Sequence, residues 1–386
     1  MCIFYIAFTW ADSTESISGI VQEVWERHPS VQAAKMQQQQ QNQFLSATEV
    51  WKEPSLSLSV APLGAGYAVS VNQPFLYRKE VSLQRQRADI YIRESDRLLQ
   101  EQKEELQRSL IFHVADWMYA KRKLALSIRH QELIEAHKKS VQGRVEIGAI
   151  PKAVLIQLES ELADLSVLRI GYMTEVQKHQ IRIEELLGRP LSSEIDLEIP
   201  PPLSIKNQSA AFLAKPQLDK ELSRVQSDLH HIEKRPPLFF SMGHSNMMMD
   251  ENKWWTVGMG MRIPTNQNTK QALIEYEFWK TKKIEMQEQA LREDWRSQVR
   301  VEEQVTKGLL QQREILEQQT KPAVERECAT MGVAFEAGQV SIDSVLKAEH
   351  KRVRILDHDA QIIKKLWYSY ANQLFLHGLA IEAEKP

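Results

Sequence analysis

The sequence is poor in cysteine, in long apolar runs and in net charge. Its 386 residues include two cysteines, Cys2 and Cys328, so Cys328 has no disulfide partner if Cys2 is removed with a signal peptide. No run of 18 uncharged apolar residues is present, which argues against a transmembrane helix. The 49 basic and 51 acidic residues nearly cancel, which gives no electrostatic case for a nucleic-acid partner.

Sequence motifs of catalytic sites are missing as well. The chain has no glycine-rich phosphate loop, no Gly-x-Ser-x-Gly turn and no His-Glu-x-x-His helix. The pair His230-His231 is predicted to lie on a helix surface, and no other histidines show ligand spacing. We therefore predict that the protein is not an enzyme, and we predict no cofactor.

The first residues form a short apolar segment. It ends at Thr9-Trp10-Ala11, a small-x-small pattern typical of signal-peptide cleavage, although no basic residues precede it. We interpret residues 1–11 as a truncated signal peptide. A buried N-terminal strand is the alternative.

The most informative feature present is an internal repeat. The spacing from Pro74 to Gly148 is the same as the spacing from Pro264 to Gly338. The text after each glycine is similar, and each copy combines a two-strand segment with a very long helical segment. Repeats of this kind bury their faces against neighbouring copies.

The helical segments are too long for an ordinary globular domain. The first copy has no proline between Val81 and Ile147, and such a helix would span about 100 Å. The second copy runs from about Thr269 to Ala337, with Pro322 near its far end. Three-then-four apolar spacing is typical of coiled coils, so a free-standing coiled-coil scaffold stays open as an alternative. The apolar positions in the first copy are Leu106, Leu110, Val114, Trp117, Leu124 and Ile128.

The strand segments alternate strictly between apolar and polar residues. This alternation predicts either a membrane β-barrel with a water-filled interior or a half-buried sheet of a soluble protein. Four strands cannot close a barrel, and exposed sheet edges are not tolerated in lipid, so a membrane location requires several chains to share one barrel. Trp254 and Trp255 would then lie at the membrane interface. The apolar sets are Leu56, Leu58 and Val60; Tyr67, Val69 and Val71; and Trp255, Val257, Met259, Met261 and Ile263.

Six motifs occur in order and are duplicated along the chain. They are the helix starts His28-Pro-Ser-Val31 and Lys215-Pro-Gln-Leu218, the two strand hairpins, Asn72-Gln-Pro-Phe75, the paired Gly turns at 148 and 338, and Leu186-Leu-Gly-Arg-Pro-Leu191. Together they resemble the TolC-type outer-membrane efflux proteins, and the resemblance covers about residues 17 to 378. Two further segments, Arg262-Ile-Pro-Thr-Asn-Gln267 and Thr320-Lys-Pro-Ala-Val324, are most similar to the branch of that family that exports heavy-metal ions.

The resemblance implies a mainly α fold with β, in which long antiparallel coiled-coil hairpins accompany two β-hairpins per chain. It implies a homotrimer with a 12-stranded barrel in outer-membrane lipid and a 12-helix periplasmic tunnel. It further implies a passive conduit for drugs or heavy-metal ions, fed by an inner-membrane efflux pump through a periplasmic membrane-fusion adaptor. A type I protein-secretion channel is one alternative, and a soluble coiled-coil scaffold is another.

The resemblance divides the chain into eight regions. These are a signal peptide (1–11), periplasmic helices of the first repeat (12–53), membrane hairpin 1 (54–75), helical hairpin 1 (76–190), an equatorial linker and helix (191–235), membrane hairpin 2 (236–264), helical hairpin 2 (265–378) and a tail (379–386).

Candidate site residues follow from the same resemblance. The helical turns would close the periplasmic end and dock the adaptor. Asp343, Lys347 and Arg262 are candidates to line the pore, although Lys347 stands where the family often has an acidic residue, which puts a carboxylate ring in doubt. The turn residues are Val145, Gly148, Ala149, Ile150, Phe335, Gly338, Gln339, Val340 and Ser341.

Methionine and histidine cluster in the second strand segment. Thioether and imidazole groups suit soft cations, which makes His244, Met247 and Met248 weak metal-ligand candidates. A flexible apolar loop coated with methionine is the simpler interpretation, and we predict no metal site.

Overall fold

The chain folds into long antiparallel helices and one small antiparallel sheet. The computed structural model describes residues 16–48, 54–60, 66–75, 77–191, 195, 200–201, 210–247, 254–261 and 267–381. Two compact units are present. The first comprises the described parts of Met1–Val31, Gln102–Ala210 and Trp295–Pro386, and the second those of Gln32–Glu101 and Ala211–Asp294.

Within its described residues, the first repeat contains four helices. Ser16 caps the first of them, because its hydroxyl accepts a hydrogen bond from the Gly19 N–H at 3.2 Å. The third helix is continuous for 69 residues, as the lack of proline predicts. The bounds are α1 Ile17–Arg27, α2 Pro29–Thr48, α3 Arg78–Glu146 and α4 Lys152–Leu187.

The second repeat also contains four helices. A 3₁₀ turn, Ala211–Ala214, leads into the first of them. The bounds are α5 Lys215–Glu233, α6 Gln267–Ile315, α7 Lys321–Glu336 and α8 Ile342–His377. The ends of α4 and α8 correspond, because Gly188 and Gly378 follow them and both have positive φ, 69° and 63°.

The helical segment predicted from about Thr269 to Ala337 is present, but it is not one regular α-helix. A π-helical segment, Leu316–Thr320, separates α6 from α7. Pro322 follows it and lacks the backbone N–H that a regular helix needs. The wider turn closes through the N–H of Lys321, which donates to the carbonyl of Leu316. The absence of an N–H at Pro322 therefore accompanies a local irregularity in the second copy that α3 lacks.

Four strands form one antiparallel sheet in the second unit. The bounds are β1 Ser55–Val60, β2 Gly66–Pro74, β3 Leu238–Met247 and β4 Trp254–Met261. Their order is β1-β2-β3-β4, so the two hairpins join through β2 and β3. The first hairpin has strands of six and nine residues.

The register confirms the predicted alternation. One row across the sheet is Leu56, Val71, Met242 and Val257, which are all apolar. On the opposite face the Ser57 and Ser70 hydroxyls lie 2.6 Å apart. The observed register therefore places apolar side chains on one face of the sheet and polar side chains on the other. A shift of one residue in any strand would move its side chains to the opposite face.

The core of the first unit is a layer of branched aliphatic residues between α1, α3, α4 and α8. Ile20, Leu110, Ile183, Leu187 and Leu374 are all within 2% of complete burial. Burying such side chains contributes about 1.5–3 kcal/mol each relative to exposure. The second unit has its own cluster, in which Leu83 and Ile90 of α3 pack against α5.

No helix among the described residues is long and apolar enough to cross a membrane.

Candidate functional site

The first helical turn ends α3 through a left-handed glycine. Gly148 has φ 73°, a conformation that L-residues with a Cβ rarely adopt. Its N–H donates to the carbonyl of Val145 at 3.0 Å, and the N–H of Ala149 donates to that of Arg144 at 2.9 Å. These are the two bonds of a Schellman cap, which satisfies carbonyls at the helix end.

The second turn repeats this geometry at the end of α7. Gly338 has φ 72°. Its N–H donates to Phe335 at 3.0 Å, and the N–H of Gln339 donates to Ala334 at 2.8 Å. Ser341 then takes the N-cap position of α8, where its carbonyl accepts from the Ser344 N–H at 3.1 Å. The duplicated sequence thus encodes a duplicated backbone conformation.

The structure brings the two turns together. Phe335 is 6% exposed and belongs to an apolar cluster that draws on both helical hairpins. Val145, Ile150 and Val340 pack against the same cluster from the two turns. The other buried members are Ile134, Val141, Leu158, Leu165, Ile342, Val345 and Leu346. Gly148, Ala149, Gly338 and Gln339 remain exposed, together with Ile147 next to them.

Arg144 joins the two turns and was not predicted. Its guanidinium donates to the carbonyls of Phe335 at 3.2 Å and Glu336 at 3.3 Å. It also lies 5.0 Å from the centroid of the Phe335 ring, a cation–π distance. The contact links residues 191 apart in sequence, so no local pattern could have indicated it.

Asp343 and Lys347 neutralise one another. The carboxylate and the ammonium are 2.6 Å apart, and their side chains are 50% and 75% exposed. Their i,i+4 spacing on a helix could have revealed this pair from the sequence. Asp343 is therefore not an isolated carboxylate on α8. Arg262, the third candidate for the pore, lies outside the described residues.

His244 lies on the apolar face of the sheet. Its ring contacts Trp255 edge to face, with centroids 4.9 Å apart, and Tyr67 at 6.2 Å. Its cross-strand partners are Val69 and Trp255. Met248 and the side chain of Met247 fall outside the described part of the chain, so the suggested methionine ligands stay a prediction.

Histidine groupings that the sequence did not reveal lie in the first unit. His113, Asp116 and His179 approach one another, as do His130, Glu161 and His350. His113 and Asp116 lie three residues apart on α3, whereas His179 is on α4, and His130, Glu161 and His350 come from three different helices, so the sequence does not show either group as a whole.

Comparison with solved structures finds the same architecture in bacterial membrane proteins. The outer membrane protein VceC from Vibrio cholerae matches with a TM-score of 0.80 at 11% identity, covering 95% of this chain and 97% of that chain. CusC, studied for its folding and transmembrane channel formation, matches with 0.79 at 11% identity, covering 95% and 93%. The CmeC outer membrane channel of Campylobacter jejuni matches with 0.78 at 11% identity, covering 98% and 92%.

Neither protein-family models nor curated proteins give a match to the chain. The structural likeness establishes that this chain has the same fold as these proteins, and it confirms the predicted mainly α architecture of long helical hairpins with two β-hairpins per chain.

Proposed function

We propose that the chain is the outer-membrane channel of a tripartite efflux system and works as a passive homotrimer. The apolar, solvent-exposed face of the four-stranded sheet carries this proposal. Leu56 is 71% exposed, Val257 66% and Met259 79%. Soluble monomers rarely expose a contiguous apolar surface of this kind, because water disfavours it. In a membrane β-barrel, the apolar face of the sheet contacts lipid and the polar face contacts the water-filled interior.

The open edges of the sheet support a barrel that is shared by several chains. Within the described sheet, β1 and β4 each pair on one side only. A strand edge in lipid leaves N–H and C=O groups without partners, at a cost of several kcal/mol for each group. Three copies of four strands give a closed barrel of about twelve strands, an even number as in known outer-membrane barrels.

The helices support association of several chains as well. The side chains of Ile156, Val167, Ile170 and Ile181 on α4 are 58% to 70% exposed. An apolar stripe along a long helix is suited to burial against a neighbouring helix. Copies of the helical hairpins placed side by side would cover it and would form the wall of a periplasmic tunnel.

The joined turns are the proposed docking site for a periplasmic adaptor. They expose Gly148, Ala149, Gly338 and Gln339, and Ile147 beside them is 79% exposed. Exposed backbone and small side chains let a partner helix approach closely. The inner-membrane pump would supply the energy, and drugs or heavy-metal ions are the proposed cargo.

Cell fractionation followed by detergent extraction tests the proposal. We expect the protein in the outer-membrane fraction and, after extraction, as a trimer by light scattering corrected for bound detergent. Recovery as a monomer in buffer without detergent would overturn it and favour the soluble scaffold. Loss of a secreted protein in a deletion strain, with drug and metal resistance unchanged, would favour the type I secretion channel.

A further inference from the structure

His130, Glu161 and His350 meet at one point of the first unit from three different helices. His130 lies on α3, Glu161 on α4 and His350 on α8. The Nε2 atom of His350 is 2.7 Å from Oε1 of Glu161, and the two imidazole centroids are 5.2 Å apart. One potential ligand atom from each residue lies within 4.8 Å of the other two.

His130 is the unusual member of this group. It is 3% exposed, and neither of its ring nitrogens has a hydrogen-bond partner. Buried polar groups are nearly always hydrogen-bonded, and leaving one unsatisfied costs about 1–3 kcal/mol. A neutral imidazole has one nitrogen with a free lone pair, and a cation held by the neighbouring carboxylate and second imidazole would accept that lone pair.

We propose that His130, Glu161 and His350 form a binding site for one divalent transition-metal ion of the zinc class. Two imidazoles and one carboxylate are the donor set of three-ligand zinc sites, which leave a fourth position open. Tetrahedral bonds of about 2.0–2.2 Å place ligand atoms about 3.3–3.6 Å apart. The shortest separation in the present structure is 2.7 Å and none exceeds 4.8 Å, so the three ligand atoms are already near the spacing that a zinc ion requires.

The second histidine group provides an internal comparison. His113, Asp116 and His179 have the same kinds of donor atoms. There, however, Oδ1 of Asp116 lies 2.8 Å from the ammonium of Lys364, which already neutralises the carboxylate. An incoming cation would have to displace that ammonium. In the proposed site the carboxylate of Glu161 contacts the imidazole of His350 instead. That imidazole can itself bind the ion, so no competing cation has to leave.

The repeat indicates one ion per chain. The two copies are offset by the separation of Gly148 from Gly338. By that offset, the positions equivalent to His130, Glu161 and His350 are Thr320, Lys351 and Ser160. These residues do not supply a comparable donor set, so the second copy does not duplicate the site. The proposal does not depend on the channel function.

Zinc titration of the purified full chain tests the site. The protein is prepared without a polyhistidine tag, treated with a chelator and titrated with ZnCl₂ by calorimetry, with bound zinc counted by mass spectrometry. We expect one zinc per chain, at least about tenfold weaker binding in Glu161→Gln and His350→Gln, and unchanged binding in His179→Gln. We also expect zinc to raise the unfolding temperature of the natural protein but not that of His350→Gln.

Two results would overturn the proposal. One is no zinc retained above the chelator-treated background, and the other is binding that His179→Gln abolishes while His350→Gln leaves it intact. Circular dichroism checks that each variant folds. Should the variants misfold, X-ray absorption of the zinc-loaded natural protein decides, since the site requires two imidazoles and one carboxylate around the ion.

Discussion

The guanidinium of Arg144, at the end of α3, donates to the carbonyls of Phe335 and Glu336 at the end of α7 and covers the Phe335 ring at 5.0 Å. One side chain therefore holds the two helical hairpins together where their turns meet. Beneath it, both hairpins contribute to a single apolar cluster. The joined tip is thus fixed by a polar clamp above and by apolar packing below.

Arg144→Ala should loosen the contact between the two turns. It removes the cation–π contact and two charge-assisted hydrogen bonds, which we expect to lower stability by about 1–2 kcal/mol. Under the proposed function the tip would open more readily, so cells should take up more of a large hydrophilic antibiotic. Lys139→Ala, which removes an exposed cation from the same helix, is the control. Equal uptake by both variants would argue against a clamp.

Gly338→Ala should destabilise the protein, whereas Gly308→Ala should not. Gly338 has φ 72°, and a methyl group there costs about 1–2 kcal/mol because Cβ approaches the following carbonyl. Gly308 lies within α6, where alanine is favoured by about 0.8–1 kcal/mol. A Cβ added at either position has no heavy atom within 4 Å, so the difference between the two variants reflects backbone conformation and not side-chain packing. Thermal unfolding should shift in opposite directions.

A bulkier residue at the same turn tests function. Gly338→Val should weaken adaptor docking or gating while the trimer still assembles, because the strain is confined to an exposed turn. Export assayed next to trimer yield separates the two effects. Full export activity in this variant would count against the turn as a docking or gating element.

Leu58→Arg and Ser57→Arg should differ although the residues are adjacent in β1. Leu58 lies on the apolar face and is 68% exposed, whereas the hydroxyl of Ser57 contacts Ser70 on the polar face. An arginine facing lipid costs about 2–4 kcal/mol near the midplane, and one facing a water-filled interior costs much less. The yield of trimer in the outer membrane should fall for Leu58→Arg only. Equal yields would mean that the apolar face does not meet lipid.

The stabilisation that Arg189 provides should be present at neutral pH and should fade as the pH falls below the ordinary pKa of Glu23. Its two nitrogens hold the carboxylate of Glu23 at 2.9 and 2.7 Å, and this hydrogen bonding lowers the pKa of Glu23 from its ordinary value of 4.5, against a smaller opposing effect of burial. A lowered pKa stabilises the fold above pH 4.5, and that contribution is lost as the pH falls from there through the folded-state pKa.

We therefore expect Arg189→Ala to unfold at a lower temperature than the natural protein at pH 7, with the difference shrinking below pH 4.5. Arg182→Ala is the control, because Arg182 pairs with Glu185 on an exposed surface, with side chains 59% and 64% exposed. Such pairs contribute little. A difference for Arg189→Ala that stays constant from pH 7 to pH 3.5 would show that the ion pair is not its cause.

The sequence predicted those features that local rules determine. The alternation of apolar and polar residues located the apolar face of the sheet. Strands that each have one apolar side pair in the register that places those sides on the same face. Gly148 and Gly338 located both turns, because their left-handed conformation requires glycine. The lack of proline predicted the continuity of α3.

Features that depend on contacts between helices could not be predicted in this way. Arg144 contacts a carbonyl 191 residues away, and His130, Glu161 and His350 come from three helices. The π segment before Pro322 depends on how the backbone recovers hydrogen bonds around a proline, which composition does not reveal. The Asp343–Lys347 pair is the exception, because its i,i+4 spacing was visible.

The interruption between α6 and α7 makes the two halves of the duplicated chain mechanically unequal. The first half contains α3, which is regular over 69 residues. The second half contains a π segment of five residues, followed by Pro322, which has no backbone N–H to donate. We expect a force at the turns to bend the second half at this segment more readily than it bends α3, because helices kink where their regular hydrogen bonding is interrupted. The two repeats thus share a sequence pattern but differ in the regularity of their long helices.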